Sequence, residues 1–253
     1  MSSFQMPTQK IDLPSKGLVY SKSNPLSSGS VEMRYPGAWA EDIMSNESYI
    51  EQGIVFDKLI PEIIVSDINY DDLILGDKNQ LFIAGRILTF GKDYLVSYLL
   101  PGDENPSEIK IDLTTLKDKV IDYSLLNDKN EFEYTLPISK VKITFKLLTH
   151  KDEKTIDQEL EALKKISSEY NKPASITWYH TITSVNGARD TKTIRDFVDN
   201  GLITLDSDPL RAYMRKISPN VDFKFDYTKP SGEVLEGLSF YIGRTFFRSS
   251  LVL

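Results

Sequence analysis

The sequence has no cysteine, and only two histidines and two tryptophans among 253 residues. Without thiols there is no disulfide and no cysteine-ligated metal, which fits a protein that matures in a reducing cytoplasm. His150 and His180 cannot build a zinc site without carboxylates as most of the ligands, and carboxylates suit zinc poorly. Both read as polar or capping residues, so neither metal nor cofactor is expected. No run of about 18 apolar residues occurs, which excludes a membrane-spanning helix. The opening MSSFQMPTQKIDLPSKG lacks the basic-then-apolar order of a signal peptide. Cationic excess is missing too: 30 Lys and Arg stand against 37 Asp and Glu, a net charge of −7. A broad surface for nucleic acid is therefore not expected.

What is present resembles an ordinary soluble chain, with 40% apolar residues and enough length to bury a sizeable core. Residues 1–36 are rich in Ser, Pro and Gly and read as an extended arm with turns, ending in a short strand at 31–35. Such an arm orders either on its own domain or on a neighbour.

Residues 37–149 read as helices followed by antiparallel strands. AEDIMSNESYIEQG should end at Gly53, a C-cap, and FDKLIPEIIV should break before Pro61. DDLILGDKNQLFIAGRILTFG carries apolar residues at 81, 84, 87, 88 and 90, the broad face of a buried helix that ends at Gly91. Ala84 and Gly85 in its middle would admit a close neighbour. Four strands follow at 94–100, 107–113, 131–137 and 140–148, with mostly short polar loops that suggest one meander or Greek key.

Residues 150–253 read as a helical segment ending in a strand hairpin. Thr149 and Asp152 mark the start of a helix with Ile156, Leu160, Leu163 and Ile166 on one face. A helix around ITWYHTITSV and another in DTKTIRDFVDNG come next. SDPLRAYMRKISP should be capped by Asp208, begin at Pro209 and stop at Pro219. Val221, Phe223, Phe225 and Tyr227 then alternate as a strand. A helix followed by a hairpin thus occurs twice, at 70–113 and 205–242, as an internal duplication would produce. The expected class is α+β, with helical segments and small antiparallel sheets.

The search for chemistry returns little. GRILTFGKD has five residues between its glycines where a phosphate loop needs four, and Asp93 would repel phosphate. No Gly-x-Ser-x-Gly elbow exists. Asp71-Asp72 and Glu131/Glu133 could serve a glycosidase, yet exposed charges in an acidic chain are the simpler reading. Residues 175–202 could form a helix-turn-helix, but Asp190, Asp196 and Asp199 on its second helix would oppose phosphate. Trp178, Tyr179, Tyr213 and Phe246-Phe247 read as core or interface aromatics. No catalytic residue and no small-molecule substrate is expected.

Four stretches do point to a family: LPSKG near the start, LILGDKNQLFIAGRILTFGKDY (73–94), FKLLTHKDE (145–153) and the ending VDFKFDYTKPSGEVLEGLSFYIGRTFF. In this order they resemble the baseplate hub family of T-even-like contractile-tailed bacteriophages, and the order extends over nearly the whole chain. The resemblance implies a noncatalytic hub component or assembly chaperone whose partners are other baseplate hub proteins. It places the protein in the host cytoplasm during assembly, and leaves open whether it stays in the tail baseplate of the virion or departs as an assembly factor. It also implies that the loops near Leu100–Asp103 and Thr228–Gly232 are zinc-ribbon-like hairpins whose thiols are lost and whose shape rests on turn residues.

The arm and the apolar tail, with Phe246, Phe247, Leu251, Val252 and Leu253, are the expected partner contacts. Deleting residues 245–253 should then weaken assembly and leave a folded monomer. The competing readings are a cell-wall hydrolase of the tail hub and a DNA-binding regulator.

Overall fold

In the computed structural model, which describes residues 6–166, 172–243 and 246, the N-terminal arm lies on its own domain. Strand β1 (Thr8–Asp12) pairs antiparallel with β2 (Ser30–Arg34), with Ile11 opposite Val31. Alternation puts Ile11, Val31 and Met33 on the buried side. Between the strands the chain turns at Lys16 and Gly17, both with positive φ. A Cβ on Gly17 would meet the Ser27 carbonyl oxygen at 2.5 Å, so only glycine fits.

Three short helices follow: α1 (Trp39–Met44), α2 (Glu47–Gln52) and α3 (Val55–Ile63). Asn46 separates the first two, its side chain accepting from the Tyr49 N–H at 3.1 Å. Gly53 closes α2 in the left-handed conformation, as expected. The break expected before Pro61 is absent, because α3 runs through it. A proline withholds one N–H and crowds the carbonyl four residues back. Here Leu59, Ile60 and Ile63 are fully buried around it, and that packing outweighs the local penalty.

Helix α4 (Leu75–Phe90) runs through the middle of the fold and is buried on almost every side, as its apolar face predicts. The close approach falls at Gly76: a Cβ there would stand 1.8 Å from the Pro219 carbonyl oxygen. Strands β3 (Asp93–Tyr98) and β4 (Ser107–Asp112) form a hairpin, and β5 (Lys117–Asp118) follows. Strands β6 (Phe132–Thr135) and β7 (Lys142–Phe145) pair with each other.

The single four-stranded meander is therefore not formed. Asp112 and Asp122 each cap a tight 3-10 turn in the intervening stretch, which carries the chain away from the first hairpin. The third strand of the second sheet is β8 (Ile182–Val185), in the order β6-β7-β8.

Helix α5 (His150–Ile166) starts as expected, with Asp152 accepting from the N–H and hydroxyl of Thr149, both at 3.0 Å. Helix α6 (Pro173–Thr181) ends before the ITSV stretch, which was expected to be helical and instead supplies β8. Ile182, Thr183 and Val185 are β-branched and pair with an available strand edge. Asn186-Gly187, with φ of 48° and 87°, closes the turn that follows. Helix α7 (Thr191–Asp196) continues into a π-helical turn, Phe197–Gly201.

Helix α8 spans Thr204–Ile217, so it begins ahead of the expected Asp208-Pro209 start. The cause is Asp206 in its first turn. That carboxylate is wholly buried and accepts from the backbone N–H of Ile138 at 2.7 Å and of Ser139 at 3.0 Å. A long-range bond therefore fixes the start, and Pro209 lies inside the helix.

Strand β9 (Val221–Asp222) pairs with β5, and β10 (Lys224–Thr228) with β11 (Val234–Ser239). Two helix-plus-hairpin units are thus present, α4-β3-β4 and α8-β10-β11. Their hairpins pack by their inner faces, Tyr98 edge-on to Phe225 at 5.8 Å and Tyr94 against Phe240 at 6.0 Å. One hydrophobic cluster draws on residues from Ile11 to Phe246, including all three expected segments, 1–36, 37–149 and 150–253. The class is α+β with small antiparallel sheets, as expected. Among the described residues no helix is long and apolar enough to cross a membrane.

Candidate functional site

A group of ionisable side chains surrounds a cavity of about 310 Å³ whose apolar walls include Val55, Phe56, Phe82 and Ile242. Lys78 of α4 and His150 of α5 are both buried at its base. Lys78 Nζ lies 3.1 Å from His150 Nδ1, bonds to Glu153 Oε2, and stands 3.9 Å from Asp57 Oδ1. His150 Nδ1 also faces Glu153 Oε2 at 3.2 Å, so the lysine, the imidazole and the carboxylate meet at one point. Nε2 faces Asp57 at 3.6 Å and Asp71 at 3.9 Å.

Burial opposes the charge on Glu153, but His150 and Lys78 outweigh it and hold the carboxyl below its ordinary value. Tyr70 packs edge-on against His150 at 4.7 Å, and burial beside Asp57 drives its phenol well above the usual range. Each group is thus engaged by its neighbours. The arrangement is a closed ion network joining α3, α4 and α5.

A second buried carboxylate explains the LPSKG stretch. Asp77 is fully enclosed and accepts from the Ser15 N–H at 2.9 Å, the Ser15 hydroxyl at 2.6 Å and the Tyr20 hydroxyl at 2.7 Å. Tyr20 in turn accepts from the Ile74 N–H at 3.0 Å. Burial pushes the Asp77 carboxyl up to about 6 against the pull of these donors, and burial beside Asp77 raises the Tyr20 phenol. This clasp holds the arm on α4.

Arg86, on the same helix, lies over Phe90 at 4.4 Å and Tyr94 at 5.7 Å. Its Nε and Nη1 have no hydrogen-bond partner among the described residues. Burial lowers its pKa. Sequence reasoning missed Lys78, Asp77 and Arg86, although three charges inside an apolar run are a readable signal of buried, paired groups.

The carboxylate pairs considered for a glycosidase are all engaged. Asp71 pairs with Lys154, and Asp72 accepts from Asn24 and Asn69. Glu131 is held by both terminal nitrogens of Arg189, and Glu133 pairs with Lys142 at 2.9 Å. His180 faces Glu159 at 3.2 Å. In the 175–202 stretch, β8 stands between α6 and α7, so those helices do not adjoin through a short turn. Among the described residues no group of three or more His, Cys, Asp or Glu could hold a metal.

The hairpin tips are shaped by turn residues. Gly102 and Gly232 have positive φ behind Pro101 and behind Pro230-Ser231, and Lys229 lies between Asp103 at 3.9 Å and Glu233 at 3.2 Å. Nothing in this arrangement supports the zinc-ribbon likeness.

Of the expected partner contacts, Phe246 belongs to the core of its own chain. It is wholly buried, edge-on to Tyr94 at 4.9 Å and stacked on Phe56 at 6.3 Å. Phe247, Leu251, Val252 and Leu253 lie outside the described residues.

Apolar surface is exposed elsewhere. Asp206 ties the loop carrying Ile138 to the start of α8, which carries Ile203 and Leu205. These three side chains are 56%, 43% and 70% exposed. A buried carboxylate thus joins the two segments that carry these exposed apolar side chains. Sequence periodicity could not locate this apolar corner, because it joins two distant segments.

Comparison with family models, with curated proteins and with solved structures finds no match.

Proposed function

We propose that this chain is a noncatalytic component or assembly factor of the baseplate hub in a T-even-like contractile phage tail, acting through protein–protein contacts. The ordered set of segments from LPSKG to the aromatic ending supports the class. The observation that carries the contact role is the apolar corner of Ile138, Ile203 and Leu205, whose two segments Asp206 joins. Such a surface is pre-organised, so a partner loses little by ordering it. The ionisable groups beside the cavity at Lys78 and His150 are bonded to one another, which suits a structural network.

The test is a proteomic comparison of infected-cell extract with mature tails, together with pull-down by the full chain and by an Ile138→Glu, Leu205→Glu variant. Hub proteins should accompany the wild-type chain, and the doubly charged corner should lose them while the variant keeps its circular dichroism. A wild-type chain that accompanies no hub protein, or that clears a peptidoglycan zymogram, sinks the proposal.

A further inference from the structure

A groove of about 530 Å³ lies between α6 and α8, with Lys119 and Asn220 also among its lining residues. Its floor is apolar, with Leu148, Pro173, Trp178 and Met214 among its residues. Its charged lining residues are Lys119, Arg211 and Arg215, and among the described residues no carboxylate lines it. In a chain with seven more acidic than basic residues, three cations around one apolar floor form a local inversion of charge.

The cations are held in place. The Arg211 guanidinium lies over the Trp178 ring at 5.0 Å, and the Lys119 ammonium donates to the Arg215 backbone carbonyl. Arg211 also pairs with Asp208 at 3.2 Å, whereas the Arg215 side chain is exposed and has no ion pair among the described residues. Burial and then the Arg215 charge lower the Lys119 pKa, against the opposing pull of Asp222.

We infer that this groove receives an acidic amphipathic segment of a partner protein, its apolar side chains on Trp178 and Met214 and its carboxylates on Arg215, Arg211 and Lys119. The apolar floor favours a peptide over a polyanion, since a nucleic-acid backbone offers little to cover Leu148, Pro173 and Met214. Net negative charge also opposes a long polyanion far more than a few carboxylates. Guanidinium groups suit carboxylates through paired donors. The inference rests on the contact-protein reading above and names what one of its surfaces takes.

Trp178 is one of two tryptophans, so a Trp39→Phe chain reports on the groove by its own fluorescence. The probes are a synthetic peptide with leucines at helical spacing and glutamates between them, the same peptide with lysine at each glutamate, and a short oligothymidylate. The glutamate peptide should shift Trp178 emission saturably, and the lysine peptide should not. Arg215→Glu, at an exposed position, should weaken binding about tenfold with unchanged circular dichroism.

Silence toward the glutamate peptide, equal response to the lysine peptide, or preference for the oligonucleotide would overturn the inference. The wider reading is separable. If Arg215→Glu leaves hub association intact and the peptide fails, the groove assignment alone falls. A wild-type chain that associates with no hub protein removes the contact role itself.

Discussion

Replacing Asp77 with asparagine should remove a pH dependence that the buried clasp imposes on the whole fold. The carboxyl ionises near 3.8 when free and at about 6 when enclosed. Between those values the folded chain keeps a proton that the unfolded chain has released, so stability falls as pH rises through that window. Each pKa unit is worth about 1.4 kcal/mol, so the ionised carboxylate costs the fold about 3 kcal/mol at neutral pH relative to pH below about 4.

Asparagine carries no such proton. The unfolding free energy of wild type minus that of Asp77→Asn should therefore drop by about 3 kcal/mol between pH of about 3 and 7, measured by urea unfolding monitored by tryptophan fluorescence. Taking the difference removes the titration of the other carboxylates.

Tyr20→Phe sharpens the test. It removes a donor that favours the charged form and leaves the Ile74 N–H without its acceptor. Stability at neutral pH should fall by about 3 kcal/mol, and the titration midpoint should move up. A difference curve that is flat, or that rises with pH, would refute the assignment of Asp77 as a costly buried anion.

Other expectations follow from packing. Gly76→Ala places a methyl group against the Pro219 carbonyl and should cost at least about 3 kcal/mol in a thermal melt. Gly102→Ala, with open space around it but a positive φ, should cost only about 1 kcal/mol. Phe246→Ala empties a core site between Tyr94 and Phe56 and should lower the urea midpoint by the equivalent of about 4 kcal/mol. Deleting residues 245–253 should accordingly destabilise the monomer, contrary to the expectation drawn from the tail's apolar composition. Arg189→Ala breaks an exposed pair with Glu131 and should cost under about 1 kcal/mol in the same assay.

Some of the site was legible in one dimension. The Thr149–Asp152 cap, Gly53, Gly91 and the alternation of Ile143 and Phe145 were readable because each depends on neighbours within a few residues. The buried face of α4 was readable for the same reason. Three expectations failed where a distant partner decided the outcome. Packing of Leu59, Ile60 and Ile63 carried α3 through Pro61, the free edge of β7 drew ITSV into a strand, and Asp206 moved the start of α8.

Residue order alone therefore settled the α+β class, the buried periodicity of α4 and the caps at Thr149 and Gly53, since those energies arise within a few turns of chain. Tertiary structure alone decided that Asp77 would clasp the arm, that Phe246 would complete the core, and that Ile138 and Leu205 would share a corner. These are pairings across tens of residues, and their free energy exists only after folding has removed the partners from water.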